Sequence, residues 1–303
     1  MGRLDGQVAF ITGGARGQGA LLATTFAREG ADIIICDICE PIESVRYDLG
    51  TRDELEAVAA EVRETGRECI AEVADVRDQA ALDAVVAKGL EQFGKIDIMC
   101  ATAGIQGVRR FWEMPDEQWE DMIGVNLTGV WKTAKAVAPS MIERQSGCMI
   151  LWASVNGREP LMDYAHYTSS KHGVLGLNKS FALELGPHNI RVNAILPGPV
   201  HTEMNDNPVN RDWAAGFKGA TADDMNASIR HWHSLRGRPA LPPEAIINAA
   251  LWLASKDAEH VHGTEFVVDA GHLILPGFNH EPVQPEGYPR QPHQGYNPYY
   301  DED

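Results

Sequence analysis

Short apolar runs alternate along this chain with longer stretches whose apolar positions recur at helical spacing, and glycine, proline and polar residues fall between them. The runs beginning at Val8, Ile33, Cys69, Ile96, Met149, Ile190 and Glu265 read as strands, four to six residues each and rich in Val, Ile and Phe. Helical spacing covers 20–27, 53–64, 79–92, 115–144, the stretch from Tyr167 to Leu185, and 243–253; Gly66 stops the second of these and Gly186-Pro187 the fifth. Strands alternating with helices, without a break in composition, predict one doubly wound α/β domain over residues 1–275, with a parallel sheet of about seven strands.

Three stretches depart from the alternation. Residues 38–51 have few periodic apolar positions and read as an insertion between the second strand and its helix. Residues 203–238 read as irregular, rich in Asn, Asp, Trp and His, and suit a cover over a ligand site. Residues 276–303 hold six prolines and four of the chain's seven tyrosines, a composition that cannot form a core by itself. Either this segment is a solvated tail or, as we expect, a docked arm lying across a neighbouring subunit.

Composition narrows the class. With 303 residues and 44% apolar content the chain can bury a large core. Its 43 acidic against 26 basic residues leave a formal charge of −17, which argues against nucleic acid or an anionic membrane surface as partner. No apolar stretch approaches the length of a membrane span and the first residues lack a secretion signal, so a cytoplasmic protein acting on small molecules is expected. The five cysteines fall mostly in strand-like runs, where they act as small hydrophobes. Cys36-x-x-Cys39 has no second pair, so no metal is expected.

The first strand enters Gly13-Gly14-Ala15-Arg16-Gly17-Gln18-Gly19, and a helix follows. Such a turn lets the backbone approach a pyrophosphate at a helix amino end. The second strand ends on Asp37, eighteen residues past Gly19, where a carboxylate can accept both adenosine ribose hydroxyls and would repel a 2′-phosphate. NAD is therefore expected rather than NADP. Further contacts are expected from Ile38, from Asp75 and Val76 after the third strand, from the small residues Thr102, Ala103 and Gly104 after the fourth, and from the turn Pro197, Gly198, Val200 and Thr202 after the sixth. Asp75 reads equally as a helix cap.

The chemistry is expected at the other end of the crevice. Ser154 follows the buried run 149–152 at a strand's carboxyl end. Tyr167 and Lys171 are four residues apart, on one helix face, where the ammonium would favour the phenolate and lower the phenol's pKa towards a working range. Asn126 sits in the middle of the pattern over 115–144, where a polar amide is ordinarily exposed.

Together, Thr12-Gly13-x-x-x-Gly17-x-Gly19, Asn126, Ser154, Tyr167-x-x-x-Lys171 and Pro197-Gly198 resemble the short-chain dehydrogenase/reductase family over roughly residues 4–272. The resemblance implies a Rossmann-type fold, with Tyr167 as general acid/base, Ser154 holding the carbonyl or hydroxyl oxygen, Lys171 on the nicotinamide ribose and Asn126 holding a relay water; Tyr167 and Lys171 then also touch the cofactor. More narrowly, residues 14–19 and the insertion opening Asp37-Ile38-Cys39-Glu40-Pro41-Ile42 look like the mycofactocin-coupled, carveol dehydrogenase-like subfamily. That similarity implies a tightly held NAD reoxidised by an external redox carrier, and a homotetramer. Thr102 stands where the family has Asn, and Ala153 and Asn156 replace a Ser and a small apolar residue.

The reading is an NAD-dependent oxidoreductase interconverting a secondary alcohol and its ketone. The alternatives are a 3-oxoacyl or steroid-type reductase on the same machinery and an idle dinucleotide-binding scaffold, which would have no need of the four catalytic candidates. Trp112, Trp152, Tyr164, Trp213 and Trp232 are candidates for the crevice and favour a cyclic or terpenoid-like substrate.

Overall fold

In the computed structural model, which describes residues 2–275, the seven apolar runs are the strands of one sheet. They are β1 (Val8–Thr12), β2 (Asp32–Asp37), β3 (Cys69–Val73), β4 (Ile98–Ala101), β5 (Gly147–Trp152), β6 (Ile190–Pro197) and β7 (Glu265–Val268). Every pairing is parallel, and the order is β3-β2-β1-β4-β5-β6-β7. The chain winds outward to β3, then returns past β1 to build the other half. A crevice opens at that reversal, at the carboxyl ends of β1 and β4.

Both faces of the sheet are covered, which is why its central strands β1, β4 and β5 are near-continuous apolar runs rather than alternating. In β1, Phe10 packs with Ile34, Met99 and Leu82 on one face, while Ala9 and Ile11 pack with Ile33, Ile35 and Leu22 on the other. The helices are α1 (Gly17–Arg28), α2 (Arg52–Glu64), α3 (Gln79–Phe93), α4 (Asp116–Ile123), α5 (Gly129–Arg144), α6 (Ala165–Leu185), α7 (Pro208–Ala215), α8 (Ala222–Ile229) and α9 (Pro243–Ala254). Leu22 of α1, Leu55 of α2 and Ile246 of α9 share one core; Val85 of α3, Val137 of α5 and Val174 of α6 share the opposite one.

Three local expectations are corrected. Residues 203–238 are not irregular: α7 and α8 form there as two short helices, each started by its own cap. Asn207 accepts the N–H of Asn210 with Pro208 at the first helical position, and Thr221 and Asp224 make a reciprocal capping box. Their apolar residues Trp213, Ala214, Met225 and Ile229 close a third cluster with Val108 and Tyr164. The cap of α3 is Asp78, whose carboxylate accepts the N–H groups of Ala80 and Ala81, and not Asp75. Finally, α4 and α5 are joined by a wide π-type turn over Gly124–Thr128, and Asn126, at its centre, is fully buried.

The insertion after β2 contains no helix or strand until Thr51 and Glu54 cap α2 with a reciprocal box. Among the described residues no helix is long and apolar enough to cross a membrane. The expected arm over 276–303 lies outside the described residues.

Candidate active site

A cavity of about 1120 Å³ occupies the crevice, lined by the segments that follow β1 to β6. At one end lies the glycine turn. Gly13 has φ of 68°, and a Cβ there would stand 2.8 Å from the Cα of Ala103; a Cβ on Gly19 would meet the Gly13 carbonyl oxygen at 2.0 Å. Only glycine allows this turn to press against β4 while leaving the start of α1 open to the cavity. Arg16 and Gln18 line the same end, and no side chain caps α1.

Asp37 closes this end. Its carboxylate accepts the N–H of Ala15 at 3.0 Å and of Cys39 at 3.5 Å, which fixes it against the glycine turn. Burial raises its pKa, opposed by those backbone bonds and by the charge of Arg16. Ile38 and Val76 supply apolar wall beside it. Asp75 also faces the cavity, with its carboxylate held by the backbone N–H and the Nε of Arg77, both at 2.8 Å, and Arg77 reaching on to Asp121 at 2.5 Å. The Thr102 hydroxyl donates to the Thr12 carbonyl oxygen, and Ala103 N–H donates to Thr12 Oγ1 at 3.2 Å. The residue that replaces the family's asparagine thus stitches β4 to β1. Trp152, on β5, donates its indole N–H to Gln18 Oε1 at 2.9 Å and links the glycine turn to the strand that carries Ser154.

The middle of the cavity holds Ser154, Tyr167 and Lys171 together. Ser154 follows β5 and starts a short turn by accepting the Asn156 N–H at 3.1 Å; its hydroxyl also bonds Tyr167. Lys171 lies one turn after Tyr167 on α6, its Nζ 5.5 Å from the centre of the Tyr167 ring. The expected lowering of the phenol's pKa is not what this arrangement gives. Burial pushes Tyr167 up to about 12, against the bond from Ser154, while burial pulls the Lys171 amine down to about 8. Both groups are desolvated, and the Lys171 ammonium is turned to the Trp152 carbonyl oxygen at 2.8 Å instead of to the phenol oxygen.

Asn126 stands behind this group rather than in the cavity wall. Its Oδ1 accepts the Ile105 N–H and its Nδ2 donates to the Ile105 carbonyl oxygen, both at 2.8 Å. A Cβ built at Gly104 would lie 3.4 Å from Asn126 Oδ1 and 3.9 Å from Lys171 Nζ, so only a glycine's thickness separates the amide from the lysine. Pro197, Gly198, Val200 and Thr202 line the opposite wall.

The far end is aromatic. Tyr167 meets Tyr164 edge-on with ring centres 5.8 Å apart, Tyr164 meets Trp213 at 5.2 Å, and Trp213 meets Trp232 at 6.2 Å. Four of the five aromatic candidates, Trp152, Tyr164, Trp213 and Trp232, therefore line the cavity. Trp112 does not. It is 65% exposed, edge-on to Phe111 and bonded to Glu113, because the loop before α4 carries it to the surface.

Sequence reasoning missed several cavity residues. Tyr47, from the insertion, accepts the Gln106 N–H at 3.0 Å, and the Gln106 side chain donates to the Tyr164 hydroxyl at 3.0 Å. A lone tyrosine in a polar insertion was the only signal for this chain of contacts. Glu159 and His272, 113 residues apart, also meet at the cavity wall; nothing local announces such a pair.

The family model for short chain dehydrogenases matches residues 7–212. The chain is 40% identical over 277 residues to (−)-trans-carveol dehydrogenase of Rhodococcus erythropolis, covering 90% of this chain and all of that one. Its structure superposes with TM-score 0.88 on a carveol dehydrogenase from Mycobacterium avium in complex with NAD, 42% identical, over 91% of this chain and all of the other. A short chain dehydrogenase from Mycobacterium paratuberculosis bound to NAD matches with TM-score 0.80 and 35% identity, over 90% and 100%.

Proposed function

The chain belongs to the short-chain dehydrogenase family, and on that premise we propose that it is an NAD-dependent dehydrogenase that interconverts a cyclic secondary alcohol and its ketone, with Tyr167 moving the proton. The observation that carries this reading is the single cavity running from the Asp37 carboxylate, past Ser154 and Tyr167, to the aromatic wall of Tyr164, Trp213 and Trp232.

The residues present fit NAD. Asp37 presents a fixed carboxylate suited to two ribose hydroxyls and hostile to a phosphate, and the glycine turn leaves room and free N–H groups for a pyrophosphate. When bound, NAD supplies the hydride acceptor and, in its oxidised form, a positive charge. Gly13, Arg16, Gly17, Gln18, Gly19, Asp37, Ile38, Asp75, Val76, Thr102 to Gly104, Pro197, Gly198, Val200 and Thr202 are the residues that would hold it.

In oxidation, Ser154 donates a hydrogen bond to the substrate hydroxyl oxygen and fixes it beside Tyr167. The hydroxyl proton passes to the Tyr167 oxygen as the carbinol C–H bond gives up its hydride and the C=O bond forms. A phenol raised by burial holds its proton, so it is ready to donate in ketone reduction; in oxidation positive charge must first draw that proton off. Lys171 is the protein's own source of such charge. Asn126 holds the Ile105 backbone and keeps Gly104 flat against Lys171, and a relay of water from there is the route by which the proton leaves. The aromatic wall and the α7–α8 cover exclude bulk water and suit a compact apolar ring.

The similarity to carveol dehydrogenases supports a terpenoid-like substrate. The resemblance of residues 14–19 and 37–42 to the mycofactocin-coupled subfamily supports a tightly held NAD reoxidised by an external carrier, and a homotetramer. The acidic charge and the small-molecule site support a cytoplasmic location. The test is a screen of cyclic secondary alcohols, with NAD and with an artificial electron acceptor, read as ketone formed, run beside 3-oxoacyl thioesters with NADH, read as NADH consumed. The expected result is turnover of monocyclic terpenoid alcohols; turnover of 3-oxoacyl thioesters alone would overturn it.

A further inference from the structure

At the wall of the cavity one imidazole ties three separate parts of the chain together. His272 lies in the segment after β7, Glu159 in the loop after Ser154, and Trp232 in the short turn that ends α8. The Nε2 of His272 bonds the Glu159 carboxylate and its Nδ1 bonds the Trp232 carbonyl oxygen at 2.7 Å. Both partners are acceptors, so the ring serves both only when each nitrogen carries a proton. Its backbone is held for this task. The Asp269 carboxylate accepts the N–H groups of Gly271 and Leu273, both at 2.8 Å, and the Asp269 carbonyl oxygen accepts the His272 N–H at 3.1 Å.

We propose that His272 is a positioning residue of the substrate site: as an imidazolium bridging Glu159 and the Trp232 carbonyl, it holds the α8 end of the cover against the Ser154 loop and so governs how tightly the alcohol is bound. The proposal rests on the dehydrogenase reading for its substrate, but the clamp itself is visible without any substrate. Trp232 is the last ring of the aromatic wall, so the carbonyl that His272 grips belongs to a residue that the substrate would touch.

The charged and titratable groups facing the ring are consistent with this. Glu159 faces it from the loop and Asp269 from its own segment, while the His233 ring stands edge-on with centres 6.5 Å apart. Arg158, next to Glu159, is engaged elsewhere with Glu265 at 2.7 Å. Burial pulls the His272 pKa down, yet the bond and charge of Glu159, the Trp232 carbonyl and Asp269 carry it above the ordinary histidine value. His233 is lowered, first by burial, and adds no competing charge at neutral pH. The two-acceptor geometry thus holds the clamp closed while the ring is protonated, and rising pH, by removing a ring proton, releases it.

The test compares the full-length protein with His272→Gln, which is neutral at every pH, and with Glu159→Gln, which keeps the shape but removes the charge. For a cyclic secondary alcohol, the unaltered protein should show KM rising about tenfold between about pH 6 and pH 9, the worth of one charge-assisted contact, with a smaller change in kcat. Lys171, whose amine lies at about 8, is intact in every variant, so the clamp is read from the difference between profiles. His272→Gln should have the higher KM throughout and should lose the tenfold component, and Glu159→Gln should move that component to lower pH. A flat profile in the unaltered protein, or a step undiminished in His272→Gln, overturns the proposal. Deuterium exchange over residues 222–235 gives a readout that needs no turnover: it should be faster in His272→Gln and, in the unaltered protein, faster at pH 9 than the intrinsic pH effect predicts. Unchanged exchange in the variant overturns the clamp. Failure of every alcohol to react would instead count against the dehydrogenase reading.

Discussion

The carboxylate of Asp37 accepts the backbone N–H of Ala15 at 3.0 Å, across the mouth of the glycine turn. This contact fixes a carboxylate at the end of the cavity that we propose takes the adenosine ribose, where Arg16 is the one cation among the described residues lining that end. Asp37→Ala should therefore weaken NADH binding and improve NADPH binding, narrowing their ratio by about tenfold or more. Titration of protein fluorescence with each dinucleotide checks it; tighter NADPH binding by the unaltered protein would sink the assignment.

Replacing Tyr167 by Phe keeps the ring that packs on Tyr164 and removes only the oxygen bonded by Ser154. Turnover should fall by about 10² to 10⁴, as expected for loss of a general acid/base, while the NADH dissociation constant changes little. Steady-state kinetics and a binding titration on the same preparation separate the two effects. Near-normal turnover in the variant would refute the role given to the phenol.

The buried Lys171 amine carries a signature in stability against pH. Its pKa is about 8 in the folded protein and ordinary, near 10.5, when unfolded, so between those values the unfolded chain binds more protons and folding becomes more favourable as pH rises. Below about pH 8 the amine is charged in both states and its desolvation cost is fully present. Lys171→Met abolishes that cost, so its Tm relative to the unaltered, cofactor-free protein should be most favourable near neutral pH and should lose ground between pH 8 and 10. Thermal melts at three pH values are sufficient, and a constant difference would argue that the amine is not desolvated.

Asn126 makes two hydrogen bonds to one residue, Ile105, from a fully buried position. Asn126→Leu leaves the Ile105 N–H and C=O without partners and should destabilise the protein by about 1–3 kcal/mol for the worse of the two. Because Gly104 separates this amide from Lys171, turnover should fall too. Urea unfolding measures the first effect. Unchanged stability would imply that the π-type turn relaxes to restore the bonds.

Those residues also mark where reading from sequence succeeds and where it stops. The strands were legible because a sheet buried on both faces demands continuous apolar runs, and Gly13, Gly19 and Asp37 were legible because close backbone approach and a strand-end carboxylate leave local signs. The pair Tyr167 and Lys171 followed from helical spacing, but the direction of the tyrosine's shift did not, since it depends on how much of the protein encloses both groups. Asn126 looked like a surface amide because the partner that buries it lies 21 residues away in sequence. The helices α7 and α8 went unread because each spans eight residues and owes its start to a cap rather than to a long apolar stripe. The cap expected at Asp75 is made three residues on by Asp78, because that is where the helical hydrogen bonds begin. Trp112 and Trp213 have the same side chain, and only the element that carries each, a loop before α4 or helix α7, sends one to solvent and the other to the cavity.

The run of rings from Tyr167 to Trp232 has an optical consequence. Indole emission overlaps the absorption of reduced nicotinamide, and energy passes efficiently between such chromophores across distances far greater than the 5 to 6 Å steps of this wall. Trp152, Trp213 and Trp232 all face the one cavity. Their emission should be quenched when the reduced dinucleotide occupies it and restored when it is oxidised, over a red-shifted background from the exposed Trp112, Trp119 and Trp131. The protein thus carries an intrinsic gauge of its cofactor's redox state, one that can be followed within a single turnover and without any added dye.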